Sequence, residues 1–272
     1  MSQIQKLHSV KVIEQKFLTG EEPVLVRCSD RNAYICKYAQ STQAAYKMVC
    51  ELIGASMAQA WHLNTPDVAF VNIHPDHWVG TFLRHNVSSP AFGSLRLDNV
   101  ADITPSTFMQ VKPSGNVLMQ LLHIALFDFW IANEDRNANN ANLLYDMEND
   151  RLVSIDYGCI LNTATFDYPM SQLTSTDTIL WSDLFQHISA KTSHKELTEM
   201  TKILRRTYDE HLQQAMLAMQ SVVDNLPKEW HVGEESVSEK LSQLSDKSWT
   251  QAVWENFMDN LNDNTKQNKD EV

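Results

Sequence analysis

The chain of 272 residues carries 22 Lys and Arg against 34 Asp and Glu, a formal net charge of −12. This charge argues against a basic nucleic-acid-binding domain, because neutralising phosphates requires a dense field of Lys and Arg. Apolar residues make up 43% of the chain, which is enough for a sizeable core and excludes a disordered protein.

The first hundred residues have the pattern of a β-rich lobe with one long helix. Apolar residues at a spacing of three and four predict that helix over residues 43–61. A polar turn is expected at 18–23, and a short helix within 74–86. Strands are predicted at 10–17, 24–28, 33–38, 67–73 and 92–97.

The rest of the chain is predicted to be mainly helical. An apolar stretch at 117–132 contains Gln120, His123 and Asp128 and is shorter than the ~20 residues of a membrane span, so it predicts a buried core helix. A polar loop follows at 133–142, because Asn and Asp favour turns. Two short strands are then expected at 143–145 and 152–158, and helices at 194–226 and between 237 and 261.

These patterns together predict an α+β fold of two lobes. The expected divisions are an N-lobe over 1–100, with a linker near 98–101, a helical C-lobe over 101–261, and a frayed polar tail over 262–272. The polar loop and its small hairpin would lie at the start of the helical lobe, where they could face a cleft.

The four cysteines favour a reducing compartment. None of Cys28, Cys36, Cys50 and Cys159 has C-x-x-C spacing, and three lie within apolar stretches, which is typical of buried thiols. Because no signal peptide is evident, we expect a cytoplasmic protein that does not enter a membrane.

The polar loop and the hairpin after it carry the chemistry. Asp135 precedes Asn140 by five residues, and Asp156 follows in the sequence Ile-Asp-Tyr-Gly. Phosphoryl transfer from ATP needs a carboxylate near the acceptor hydroxyl and a metal ion to neutralise the phosphates. Asp135 and Asn140 are expected on opposite sides of a tight turn, with Asp135 facing the hydroxyl. Asn140 and Asp156 offer hard oxygen ligands for Mg²⁺.

The N-lobe offers the other half of such a site. Lys37 ends a predicted strand and could bind the α- and β-phosphates of ATP. A lysine in that role must itself be held, and Glu51 is the acidic residue of the helix that follows. The order Lys, Glu, Asp, Asn, Asp is the order that a two-lobed kinase requires.

The sequence also resembles the HipA-like kinases, over most of residues 10–230. The resembling pieces are VLVRCSDRNAYICKY, CELIGASMAQAWHLNTPDVAFV, PAFGSLRL, FDFWIANEDRNANNANLLYD, LVSIDYGCIL and NLPKEW. The resemblance implies a protein-kinase-like fold and Mg-ATP-dependent phosphorylation of Ser or Thr on protein, often with autophosphorylation and with a toxin role opposed by an antitoxin protein. By motif, Lys37 would contact the ATP phosphates, Asp135 would be the catalytic base, and Asn140 and Asp156 would bind Mg²⁺.

Some positions depart from the kinase pattern. Tyr157 stands where many kinases have Phe, and Asn137 stands where many relatives have His. The turn at 18–23, which would cover the phosphates, has Gly20 as its one glycine, and no activation segment ends in Ala-Pro-Glu.

Two other functions remain open from the sequence. A small-molecule phosphotransferase could use the same scaffold, although aminoglycoside and choline kinases usually have His where this chain has Asn133. A catalytically inactive nucleotide-binding protein that acts through a partner is the third hypothesis.

Overall fold

The computed structural model describes residues 4–78, 89–162, 166 and 169–270. It contains a β-rich N-terminal region and a helical C-terminal region, as predicted. The strands are β1 (Gln5–His8), β2 (Gln15–Lys16), β3 (Val24–Arg27), β4 (Ala33–Lys37), β5 (Val68–Asn72), β6 (Ala91–Leu95), β7 (Val100–Asp102), β8 (Leu143–Asp146) and β9 (Arg151–Ser154). The α-helices are α1 (Thr42–Ala60), α2 (Gly115–Ile131), α3 (Asp183–Ser189), α4 (His194–Val223), α5 (Glu234–Ser242) and α6 (Lys247–Asp270).

Six strands form the N-lobe sheet in the order β1-β5-β6-β4-β3-β2. Strands β3, β4 and β6 pair antiparallel, whereas β1 pairs parallel with β5. Strand β4 lies inside this sheet and ends at Lys37, which is opposite Phe92 of β6. Lys37 is therefore the last residue of an interior strand, on the side of the lobe that adjoins α1.

Helix α1 connects the sheet to the helical lobe. Ser41 caps its first turn by accepting a hydrogen bond from the Ala44 backbone N–H, and the helix runs unbroken to Ala60. Its buried face includes Met48, Val49, Leu52 and Ile53, at the spacing that predicted it. Glu51 is the charged residue on that buried face, with 2% of its surface exposed.

Helix α2 is the centre of the C-lobe core. Twelve of its residues are buried, and it ends where Ala132 adopts a left-handed conformation at φ 49°. That residue sends the chain sharply into the polar loop, whose backbone is closed by reciprocal hydrogen bonds between Asn137 and Asn140. The polar loop is thus held at the end of the most buried helix.

The hairpin after the polar loop belongs to a three-stranded sheet of order β7-β8-β9. Strand β7 occupies the segment predicted as a linker. The sequence did not reveal it, because its partner β8 lies about forty residues further along the chain. The predicted second strand at 152–158 ends at Ser154. Asn64, just after α1, binds this hairpin through Ser154 N–H and the Leu152 carbonyl, which joins the two lobes.

Other local predictions were also wrong, and one lies partly outside the described residues. Segment 10–17 forms strand only at β2, and the strand at Gln5–His8 was missed because Leu7 is its one buried residue. Residues 262–270 are helical rather than frayed, since Leu261 and Asn264 of α6 are buried. Of the short helix predicted within 74–86, Pro75–His77 form one 3₁₀ turn, and residues 79–88 lie outside the described ranges.

No helix in the described part of the chain has the length and apolar character that crossing a bilayer requires.

Candidate active site

Lys37 joins the two lobes through its side-chain ammonium group. Its Nζ donates to Glu51 Oε1 of α1 and to Asp156 Oδ1, which lies 3.0 Å away in the C-lobe. Glu21 Oε2 is a third carboxylate partner at 2.8 Å. Burial alone would lower the pKa of Lys37, but the three carboxylates raise it well above its usual value, so the group stays charged.

Glu51 connects Lys37 to the segment that carries Asp156. Its second oxygen, Oε2, accepts a hydrogen bond of 2.9 Å from the Tyr157 backbone N–H. Burial raises the pKa of Glu51 to about 8, and the charge of Lys37 opposes that rise. The contact predicted between Lys37 and Glu51 is therefore present, and it extends to the chain segment beyond β9.

Asp156 lies in a conformation that few residues adopt. Its φ is 59°, in the left-handed region that Asp tolerates better than most non-glycine residues. Its pKa falls to about 2, because Lys37 and hydrogen bonds outweigh the effect of burial. The side chain is still 39% exposed. A charged carboxylate that reaches solvent at this position can bind a ligand.

The close approach of this segment to α1 depends on two glycines. A Cβ built on Gly158 would lie 3.2 Å from Glu51 Oε1 and 3.5 Å from Asp156 Oδ1. On α1, a Cβ at Gly54 would overlap the side chain of Tyr157, with 2.6 Å to its Cγ. A side chain at Gly54 would have to displace Tyr157, and one at Gly158 would press on the Glu51 carboxylate.

Asp135 is held by two asparagines of the polar loop. Its Oδ2 accepts hydrogen bonds of 3.0 Å from both Asn140 Nδ2 and Asn142 Nδ2. Asp135 and Asn140 therefore touch each other, rather than lying on opposite sides of the turn as expected. Because the Asn140 nitrogen makes this contact, its amide oxygen is the atom that could bind a metal ion.

Arg136 anchors the polar loop to helix α2. Its side chain is fully buried, and its Nε donates to Asp128 Oδ2 of α2 over 2.8 Å. Its Nη1 donates to the carbonyls of Ala141, Asn142 and Ile155, which ties the loop to the segment before Asp156. Burial raises the pKa of Asp128 to about 6, although the Arg136 charge opposes the shift.

The donor set fits Mg²⁺. Within the described ranges, no group of three or more His, Cys, Asp or Glu side chains is placed to hold a metal ion. Magnesium does not need such a group, since it is commonly held by one or two carboxylates together with water and substrate phosphates. The Asp156 carboxylate and the Asn140 amide oxygen are hard donors of that kind.

Sequence reasoning missed several residues of this site. Arg136 could have been noticed because it directly follows Asp135, and its partner Asp128 was placed on the predicted core helix without a role in the site. Asn142 was interpreted as a turn residue, yet it donates to Asp135. Glu21 and Lys47, which form an ion pair of 2.9 Å beside Lys37, had no motif to reveal them.

Comparison with known proteins decides the family. The sequence model of the HipA-like kinases matches residues 10–257. The chain belongs to the HipA-like kinase family. A search of the curated proteins finds no match.

One solved structure shows the kinase-like fold of this HipA-like chain. The Helicobacter pylori proinflammatory kinase CtkA superposes with a TM-score of 0.52 at 12% identity, covering 94% of this chain and 98% of that one. The FAT and kinase domain of CtTel1 matches with a TM-score of 0.33 and 10% identity over 92% of this chain and 22% of that one. Membership of the HipA-like family makes the chain a kinase, with ATP as the nucleotide that the family implies.

Proposed function

We propose that the chain is a Mg-ATP-dependent kinase that phosphorylates Ser or Thr on a protein. The observation that carries the proposal is the contact of Lys37 with both Glu51 and Asp156, beside a polar loop that presents Asp135. Family membership supports the kinase chemistry, and the predicted residues supply one group for each task that phosphoryl transfer requires.

Each of the predicted residues has a defined task in this proposal. Lys37 binds phosphate oxygens of ATP, and Glu51 holds Lys37 in place. Asn140 and Asp156 would hold Mg²⁺, which neutralises phosphate charge when it is bound. The side-chain N–H groups of Asn140 and Asn142 orient Asp135. Asp135 accepts the proton of the acceptor hydroxyl while the hydroxyl oxygen forms a bond to the γ-phosphorus. The bond from that phosphorus to the β–γ bridging oxygen breaks, and ADP leaves.

Labelled ATP tests this function directly. Purified protein incubated with γ-labelled ATP and Mg²⁺ should transfer label to itself or to proteins of a cell extract. Label on small metabolites alone would instead identify a small-molecule phosphotransferase. An ATP-dependent rise in melting temperature without any transfer would identify an inactive nucleotide-binding protein.

The biological setting follows from the family resemblance. We propose a protein substrate, autophosphorylation, and a toxin role opposed by an antitoxin protein. The four free cysteines, three of them buried, support a cytoplasmic location. Induced expression of the chain should arrest growth, and expression of the Asp135→Asn variant should not. Phosphoproteomics after induction would name the substrate.

A further inference from the structure

The turn between β2 and β3 differs from a glycine-rich phosphate loop. Gly20 is its one glycine, and the turn is closed by a hydrogen bond from Glu22 N–H to the Thr19 carbonyl. Gln40 Nε2 also donates to the Glu21 carbonyl and fixes the turn against the start of α1. Glycine-rich loops bind phosphates with backbone N–H groups, and this short turn has few to offer.

The turn instead places a carboxylate between two lysines. Glu21 Oε2 lies 2.8 Å from Lys37 Nζ, and Glu21 Oε1 lies 2.9 Å from Lys47 Nζ. Glu21 Oε1 is also 3.6 Å from where a Cβ on Gly158 would be, two residues past Asp156. One anionic group thus bridges both ammonium groups next to the segment expected to bind Mg²⁺.

Lys47 is positioned by the same helix that positions Glu51. The two residues are four positions apart on α1, so their side chains leave the same face of the helix. Lys47 is 29% exposed and lines a cavity of about 200 Å³ together with Lys37, Glu21 and Ser41. Burial alone would lower the pKa of Lys47, but Glu21 raises it, so the lysine is an ammonium ion at neutral pH.

We propose that Lys47 is a second phosphate-binding residue and that the Glu21 carboxylate occupies the place of a phosphate group between Lys47 and Lys37. This inference rests on the proposed ATP-binding function. The two ammonium groups bind Glu21 through its two oxygens, and a phosphate offers the same pair of acceptors with a larger negative charge. Nucleotide binding therefore exchanges one bridging anion for another, and Glu21 competes with ATP for the lysines.

Nucleotide affinities in charge-altered variants test the proposal. Calorimetric Kd values for ATP and ADP with Mg²⁺, and for adenosine by competition, would be measured for each variant. Lys47→Gln should weaken ATP about 10-fold, because one charge-assisted hydrogen bond is lost. It should weaken ADP no more than ATP and leave adenosine unchanged. Lys47→Arg should retain most of the ATP affinity, and Glu21→Gln should tighten ATP several-fold.

A matched control is Lys202→Gln on α4. Lys202 also pairs with a glutamate, Glu199, at 2.7 Å, but far from the site in sequence and element. The Lys202→Gln variant should bind every nucleotide as the wild type does. Melting temperatures within about 2 °C of the wild type would show that the variants fold.

Each of the following results would overturn the inference. Unchanged ATP affinity in Lys47→Gln would show that Lys47 does not bind phosphate, and an equal loss for adenosine would indicate a general disturbance of the cleft. Weaker ATP binding in Glu21→Gln would show that Glu21 does not compete with the nucleotide. If the wild-type protein bound no nucleotide, the proposed function would fail as well. If it transferred phosphate while Lys47→Gln bound ATP normally, only this inference would fail.

Discussion

The two sides of the candidate site are held together by different means. On the phosphate side, Lys37 contacts the carboxylates of Glu21, Glu51 and Asp156. Lys47 shares Glu21 with it, and the ionic contacts reach solvent at Asp156. On the polar-loop side, the buried pair of Arg136 and Asp128 fixes the backbone through carbonyl groups. Under the proposed function, a charged ligand would replace contacts of the first kind, whereas contacts of the second kind would open only if the loop unfolded. The molecule thus combines an adaptable phosphate side with a fixed base.

The largest effect is expected from the fixed side. Asp135→Asn should keep the hydrogen-bonded loop but remove the proton acceptor. Transfer should fall by roughly 10²–10⁴-fold while the ATP Kd stays unchanged. The measurement is labelled-phosphate transfer with a parallel binding titration, and Asp209→Asn on the exposed face of α4 serves as the control. Activity that survives in Asp135→Asn would disprove the assignment of the base.

Breaking the buried ion pair of Arg136 and Asp128 should lower the stability of the protein. Arg136→Met leaves Asp128 buried without its partner and removes the hydrogen bonds to the loop carbonyls, which costs on the order of 3–5 kcal/mol of unfolding free energy. Urea denaturation followed by fluorescence measures this loss. The exposed counterpart, Arg151→Met at the Asp146 pair, should change stability far less, because water screens that pair. Similar losses in the two variants would contradict the distinction drawn between the two sides.

On the phosphate side, the stabilisation of the fold by ATP should depend on Mg²⁺. With the wild-type protein, ATP at about 100 times its Kd should stabilise the fold by about 2.7 kcal/mol in the presence of Mg²⁺. Asp156→Ala should lose the Mg²⁺-dependent part of this gain, because it removes the charged metal ligand. Thermal unfolding with and without Mg²⁺ measures the difference. An undiminished Mg²⁺ effect in Asp156→Ala would mean that the metal binds elsewhere.

Mild acid should weaken the helical lobe through His123. His123 of α2 lies beside His211, with ring centroids 4.7 Å apart, and burial lowers the pKa of His123 to about 4. The unfolded chain takes up this proton as the pH falls through about 6.5, whereas the folded chain does so only near 4, so stability falls between these values. The loss should be at most about 2 kcal/mol at pH 5.

His123→Phe provides the comparison for this pH effect. The variant keeps a ring at the helix junction but cannot titrate, so its unfolding free energy should change less than that of the wild type between pH 7 and pH 5. Asp156, with a pKa of about 2, stays ionised over that range. An equal pH dependence in both proteins would exclude His123 as its source.

Local patterns predicted the long elements and the motif-bearing loop. Helix α1 was predicted from the helical spacing of its apolar residues and α2 from a continuous apolar stretch, and each signal lies within a single segment of sequence. Helix α4 was predicted as well. Strands β1 and β7 were not predicted, because their strand conformation depends on pairing with strands that are distant in sequence. The same limit applies to the site. Lys37 and Glu51 are 14 residues apart and were paired correctly, but the bridge from Glu21 to Lys47 depends on how a turn folds over a helix.

The two oxygens of Glu51 couple helix α1 to both lobes. One binds the Lys37 ammonium group and the other binds the Tyr157 N–H, so α1 cannot shift without breaking both contacts together. Gly54 lies on the same helix and packs so closely on Tyr157 that even a Cβ there would overlap it. A single substitution in the interior of α1 would therefore disturb the lysine of one lobe and the aspartate segment of the other at the same time.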